Sequence, residues 1–167
     1  MKSSALYSGL LSLLLIVWGY SALAQVPVKN EPRHKVVLEN EYVRLIDVHI
    51  PPGDTTLYHV HALPSVVVVI TKALTGSQVM GENPTSPGES QPGNTWFAAY
   101  NEKPITHRVF NAGDTMFHVM DIELVKEKID TGICKIEKQN GGELLWEEKT
   151  VRCYKLIITH GGQYKLP

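Results

Sequence analysis

Short runs of β-branched and apolar residues, separated by turn residues, dominate the chain after residue 35. Ser65 to Thr71 is almost continuously β-branched, as is typical of a strand that is covered on both faces. No segment after residue 24 has a sustained 3.6-residue apolar period, so long helices are not expected there. The pattern predicts an all-β fold, an antiparallel sandwich or barrel. The predicted strands are 36–38, 42–50, 57–61, 65–71, 95–100, 105–110, 115–125, 133–138, 143–148 and 151–158.

Turn chemistry fixes where several of these strands end. Pro51-Pro52-Gly53-Asp54 is a strong turn signal, and Asn111-Ala112-Gly113-Asp114 is another. Residues 81–95 hold three prolines and three glycines and few apolar residues, so we expect an exposed loop there. Residues 126–131 are expected to hold a helical turn.

The first 24 residues have a different pattern from the rest of the chain. Lys2 precedes the apolar run 10–18, and Ala22-Leu23-Ala24 is the small-residue pattern of a signal-peptidase site. This predicts a secretory signal, with a mature chain that begins at Gln25 and has no membrane contact after cleavage. Such a protein is exported, to the periplasm or the medium. The alternative is an uncleaved membrane anchor, because the apolar stretch is almost long enough to span a bilayer.

Composition excludes several classes of function. The chain has 167 residues, a formal net charge of −1, 43% hydrophobic and 20% charged residues, which suits one globular domain. The charge argues against a nucleic-acid partner, since such proteins need a basic face. Two cysteines are present, Cys134 and Cys153. After export they are either a disulfide or two buried free thiols.

Three of the seven histidines carry the candidate chemistry. His59 and His61 alternate on one predicted strand and therefore share a face, and His107 lies on another strand. Apolar residues line these faces, and burying three imidazoles without partners is costly. A divalent metal ion would satisfy all three. The alternative is ordinary hydrogen-bonded strand histidines, which we expect for His34, His49 and His160. His118 shares a strand face with Met116, Met120 and Ile122, so we expect a hydrogen-bonded core histidine there, with a place behind the metal ligands as the alternative.

The spacing of these residues matches two known motifs. Gly53, five residues, His59, one residue and His61 open the first cupin motif, and His107, three residues and Asn111 close the second. The chain therefore resembles the cupin superfamily over roughly residues 34–125. The resemblance implies an antiparallel, jelly-roll-like cupin β-barrel with a metal held by His59, His61 and His107.

The domain organisation follows from this resemblance. It comprises a signal peptide (1–24), a lead-in arm (25–35), the barrel (36–125) and a C-terminal extension (126–167). Residues 151–161 resemble 43–53. The extension is therefore either the start of a truncated second cupin repeat or a closing strand with a chance match.

The chain also departs from the cupin motifs. Ser65 and Val66 stand where the family has its metal-binding glutamate, and Glu102-Lys103-Pro104 replaces the P-x-G that precedes the second-motif histidine. Three neutral ligands would leave the charge of a divalent ion uncompensated and coordination positions open. Such a centre is similar to that of cupin thiol dioxygenases. Iron is favoured, with zinc, manganese, nickel and copper as alternatives.

These observations lead to one functional hypothesis and one alternative. The hypothesis is an exported cupin with a three-histidine divalent metal centre, acting on a small molecule as a metal-dependent oxygenase. The alternative is a non-catalytic module that binds a small ligand and has a weak or lost metal site. The sequence leaves open the substrate and whether the protein is an enzyme. Because both faces of Val66–Ile70 need cover, we also expect a homodimer.

Overall fold

A computed structural model describes residues 25–126, 142–158 and 160–163. The strands are β1 Val26–Pro27, β2 His34–Glu39, β3 Val43–Ile50, β4 His59–His61, β5 Ser65–Val69, β6 Ala73–Val79, β7 Gly88–Ser90, β8 Thr95–Ala98, β9 Ile105–Asn111, β10 Phe117–Leu124, β11 Gly142–Glu147 and β12 Arg152–Leu156, with a 3₁₀ turn at Val28–Asn30. Two five-stranded sheets make up the body of the described chain, in the orders β1-β4-β9-β6-β7 and β2-β3-β10-β5-β8, and β11 and β12 form a separate hairpin.

The two sheets interleave strands that are distant in the sequence. β10 lies between β3 and β5, and β9 lies between β4 and β6; all four pairings are antiparallel. β1 adds a parallel edge to β4. This arrangement confirms the predicted all-β, antiparallel cupin-type barrel.

The hydrophobic core lies on the facing sides of the sheets. Along β3, the buried Ile46, Val48 and Ile50 alternate with side chains that point outward. Val69, Phe117 and Val119 complete the same core from β5 and β10. Each such side chain contributes about 1.5–3 kcal/mol by its burial, so alternation along the strands is what fixes their register.

The turn residues of the two motifs are tied to each other. Gly53 has a φ of 72°, a left-handed conformation that favours glycine, and its backbone N–H donates to the Asn111 carbonyl at 2.9 Å. The buried Asn111 side chain donates to the Ile50 carbonyl at 2.9 Å and the Thr115 carbonyl at 2.7 Å. The motif glycine and asparagine thus hold together the two turns that flank β4 and β9.

Three strands were absent from the sequence prediction: β6, β7 and the two-residue β1, which lies in the predicted lead-in arm. β6 carries Thr75, Gly76 and Ser77 at its centre, so it lacks the apolar alternation that marks a strand. β7 pairs with β6 and lies within residues 81–95, where an uninterrupted loop was expected. That expectation is wrong for Gly88–Ser90, because backbone pairing with β6 outweighs the local turn composition.

Several sequence predictions fall outside the described residues. They concern the signal peptide, the strand at 133–138, nearly all of the helical turn at 126–131, and Cys134 with its disulfide to Cys153. The strands predicted at 143–148 and 151–158 form the hairpin of β11 and β12, while its origin as a second repeat stays a prediction. Within the described ranges no helix has the length and hydropathy of a membrane span.

Candidate metal centre

The register of β4 and β9 brings the three predicted histidines together. His59 is paired directly with His107, and His61 lies one alternation further along β4 on the same face. The ring centroids are 4.7 Å apart for His59 and His107 and 5.0 Å apart for each pair that includes His61. One ligand nitrogen from each ring lies within 4.8 Å of the other two.

The hydrogen bonds of the rings favour a metal ion at this point. His59 Nδ1 lies 2.9 Å from the Leu57 carbonyl oxygen, which only accepts, so Nδ1 carries the proton and Nε2 is the available ligand. His61 Nδ1 and His107 Nε2 are buried without a hydrogen-bond partner in the described part of the chain. Metal–nitrogen bonds of about 2.1 Å put two ligand nitrogens at most about 4.2 Å apart. Side-chain shifts of less than about 1 Å would therefore close the site around an ion.

The surroundings keep all three imidazoles neutral, the form that binds metal. Burial, and after it the neighbouring histidines, lower the pKa of His59 to about 4, that of His61 to about 2 and that of His107 to about 3. Protons therefore do not compete for these nitrogens at neutral pH.

The three histidines lie on the wall of a cavity of about 500 Å³ between the two sheets. That volume suits a small-molecule ligand. Val48, Val67 and Phe117 line its apolar side, and Thr75 and Ser77 line a polar side on β6. Trp96 and Tyr100, which sequence reasoning left out of the site, also line it.

His34 lies at the site, although no motif spacing relates it to the other histidines. Its ring packs edge-on against that of His59, with centroids 4.7 Å apart, and its Nδ1 lies 2.8 Å from the Glu31 carboxylate. Glu31 is fully buried and accepts a hydrogen bond from the Leu57 backbone N–H at 3.1 Å. His34 thus lies behind His59, outside the group whose ligand atoms converge.

Sequence reasoning also missed Asp121 on β10. Its side chain lines the cavity, and its Oδ2 lies 3.5 Å from His61 Nδ1. Burial, and after it the charge of Glu123, raise the pKa of Asp121 to about 7, and the nearby Ser65 hydroxyl acts in the opposite direction. The signal that could have found it is the alternation of Phe117, Val119 and Asp121, which places this acid on the core face of β10.

His118 and His49 lie on the outer face of the same sheet. Their rings stack with centroids 4.1 Å apart, and His118 Nε2 donates to Asp47 Oδ1 at 2.7 Å. The expected hydrogen bond of His118 is present, but its expected place in the core is wrong, because Phe117 and Val119 take the inward positions of β10. Asp47, His49 and His118 form a second group whose ligand atoms converge. Because this group lies on the outer face of the sheet, His118 is a suitable position for a control variant.

Neither a protein-family model nor a curated protein sequence matches this chain. Several solved structures resemble it. A cupin domain from Bordetella pertussis is 25% identical, with 60% of this chain and 97% of that chain covered and a TM-score of 0.49. A double-stranded β-helix protein from Klebsiella pneumoniae is 20% identical, with coverages of 61% and 84% and a TM-score of 0.43. An RmlC-like cupin from Methanocaldococcus jannaschii is 14% identical, with coverages of 57% and 81% and a TM-score of 0.44.

Proposed function

We propose that this cupin-type barrel holds one divalent metal ion at His59, His61 and His107 and acts on a small molecule as a metal-dependent oxygenase. One observation carries the proposal. The imidazoles of His59 and His61, which are buried, and of His107, which is half-buried, converge on the wall of a cavity of about 500 Å³, and Nε2 of His107 lacks any hydrogen-bond partner among the described residues. Buried polar groups are rarely left unsatisfied, and a metal ion satisfies all three at once.

The residues that line the cavity would have different roles in such an enzyme. The three histidines would hold the ion and leave coordination positions open, and a bound divalent iron would supply the chemistry that activates dioxygen. Val48, Val67 and Phe117 keep the space beside the histidines apolar. Burial raises the pKa of Tyr100, as does the charge of Asp121, so its hydroxyl remains a hydrogen-bond donor toward a ligand.

Metal analysis of the purified mature protein, prepared without added metal, tests this proposal. We expect about one equivalent of iron in the wild-type protein and in His118→Ala, and none in His59→Ala. Stoichiometric zinc that is lost in His59→Ala would support the metal centre and contradict the oxygenase. The absence of tightly held metal would favour the alternative, a non-catalytic module that binds a small ligand.

Export to the periplasm or the medium is part of the same proposal. The apolar run 10–18 and the A-x-A sequence at 22–24 support it. Mass spectrometry of the protein recovered outside the cytoplasm should give a chain that begins at Gln25. A full-length chain held in the membrane fraction would contradict cleavage and favour the anchor.

A further inference from the structure

Asp121 is a buried carboxylate that the fold does not explain. It lies on the inner face of β10 and is 3% exposed. Its Oδ1 is buried without a hydrogen-bond partner in the part of the chain that the structure describes. Its Oδ2 is directed toward the candidate metal centre, 3.5 Å from His61 Nδ1, which also lacks a partner there. Burying a carboxylate costs free energy unless the carboxylate is paired. The unsatisfied Asp121 Oδ1 and His61 Nδ1 therefore need a physical explanation.

The neighbouring carboxylate on the same face shows what a structural role looks like. Glu123 is 2% exposed, and its side chain is paired with the Arg44 guanidinium. The Arg44 guanidinium also donates a hydrogen bond to the Glu39 carboxylate at 2.7 Å. Glu123 is therefore part of an ion-pair network between β2, β3 and β10, whereas the group beside Asp121 is the neutral imidazole of His61, 3.5 Å away.

The position of Asp121 relates it to the missing motif glutamate. Ser65 on β5 occupies the place of that glutamate and is completely buried. In the β5–β10 pair Ser65 is opposite Glu123, and Val67 is opposite Asp121. The Ser65 Oγ–H donates to the Leu63 carbonyl at 3.3 Å. A carboxylate thus reaches the same region from the adjacent strand.

We propose that Asp121 is the positioning carboxylate of the metal centre: it accepts a hydrogen bond from the Nδ1–H of His61 and supplies the negative charge that three imidazoles lack. The inference rests on the proposed metal site. A carboxylate behind a ligating histidine fixes its tautomer and ring orientation and makes it a stronger ligand. Because Asp121 acts through His61, it offsets the charge of the ion without occupying a coordination position. The glutamate of the family motif would occupy one.

This arrangement also defines the class of ligand. With the charge of a divalent ion partly offset by one carboxylate, one net positive charge remains on the wall of a cavity whose other lining includes the apolar Val48, Val67 and Phe117. A small monoanion with an apolar body fits this site, with its charged end at the open coordination positions.

Zinc titration of the metal-free full-length mature protein by calorimetry tests the role of Asp121. Asp121→Asn keeps the volume of the side chain and removes its charge. We expect one bound zinc with an affinity reduced by about 10- to 100-fold. Glu123→Gln is the matched control, since it neutralises a buried carboxylate on the same face, and we expect its zinc affinity to lie within about twofold of wild type.

The visible spectrum of bound Co²⁺ separates positioning from loss of structure or of a ligand. For Asp121→Asn we expect bands that shift in position but keep the intensity of an unchanged ligand number, with a native circular dichroism spectrum. If Asp121→Asn does not fold, Asp121→Ser is measured in its place. Wild-type zinc affinity in the Asp121 variant overturns the inference, and so does a Co²⁺ spectrum that indicates one ligand fewer. His59→Ala distinguishes the two proposals, since zinc binding retained in that variant contradicts the metal site itself.

Discussion

His59 and His107 lie directly opposite each other in the antiparallel pair of β4 and β9, with their rings 4.7 Å apart. Directly opposed residues in such a pair have side chains on the same face. The candidate metal centre is therefore fixed by strand register rather than by a loop, and this gives it the rigidity that a ligand set needs.

The first prediction concerns the ligands. His107→Ala removes one of three converging imidazoles, and we expect it to abolish stoichiometric metal binding, as should the double change His59→Ala with His61→Ala. His160 is exposed and distant in sequence from the site, so His160→Ala should bind metal like the wild type. His34 is unsuitable as a neutral control, because its ring packs against that of His59. Metal content by mass spectrometry is the measurement, and retention of metal by the double variant would contradict the assignment.

The second prediction concerns acid stability. Burial by itself would raise the pKa of Glu31, but bonds from His34 and from the Leu57 and Arg33 backbone N–H groups outweigh it and lower the pKa from 4.5 to about 2. A carboxyl whose pKa is lower in the folded state stabilises the fold above its unfolded pKa, and this stability is lost as pH falls through the folded value. The difference corresponds to roughly 3 kcal/mol at neutral pH.

Urea unfolding of the wild type and Glu31→Gln at several pH values measures this contribution. We expect the wild type to have a larger free energy of unfolding than Glu31→Gln at pH 7. This difference should narrow by roughly 2 kcal/mol by pH 3. Glu41→Gln is the control, because the Glu41 carboxylate is exposed and pairs only loosely with Lys126, at 3.3 Å. A gap that stays constant between pH 7 and pH 3 would exclude a stabilising charge on Glu31.

The third prediction concerns β6. A Cβ added at Gly76 would lie 2.3 Å from Cζ of the Phe110 ring, whereas nothing lies within 4 Å of one added at Gly88. Because Phe110 is the cross-strand neighbour of Gly76, the ring must move to make room. We expect Gly76→Ala to cost about 1–3 kcal/mol and Gly88→Ala less than about 0.5 kcal/mol. Thermal unfolding of both variants measures the difference, and equal midpoints would show that Phe110 moves freely.

The sequence was most informative where a short motif specifies both the residue types and their spacing along the chain. The turn at Gly53, the alternating pair His59 and His61, and the spacing of His107 and Asn111 are local features, and each predicted its place in the barrel. β6 was not predicted because its central residue, Gly76, is of a type that is common in loops. A glycine stands there because the Phe110 ring on the neighbouring strand leaves no room for a Cβ atom, and no local pattern reveals this.

The charged residues around the site were harder to predict for the same reason. The cupin motif has its carboxylate a few residues after the second histidine, here His61, whereas Asp121 reaches the site from β10, 60 positions later. His34 likewise meets His59 only because β2 and β4 border the same cavity. Pairing between distant strands decides both positions, and a single sequence does not encode it in any short spacing.

The fourth prediction concerns assembly, and it rests on the sequence. On the face of β5 that points away from the cavity, Val68 is half-buried and the adjoining Ile70 is 42% exposed. We expect a homodimer that covers this face, and Val68→Lys should convert it into a monomer. Light scattering at micromolar concentration measures the mass, and a monomeric wild-type protein would contradict the expectation.

The last prediction moves the carboxylate back to the position that the cupin motif gives it. Ser65 is completely buried on β5 and lies on the same face of the β5–β10 pair as Asp121, so Ser65→Glu alone buries a second carboxylate on that face. We expect that variant to lose roughly 3 kcal/mol or more of stability.

Ser65→Glu combined with Asp121→Ser keeps one carboxylate in this region, now on β5 at the position where the cupin motif has its glutamate. We expect the double variant to recover most of the lost stability and to bind zinc at least as tightly as the wild type. It should also bind azide to its Co²⁺ form more weakly, because a ligating glutamate fills a position that the wild type leaves open. A double-mutant cycle on stability should give a coupling of about 0.5–3 kcal/mol between the two positions. Additive stabilities with unchanged azide binding would show that Ser65 does not occupy the vacant ligand position.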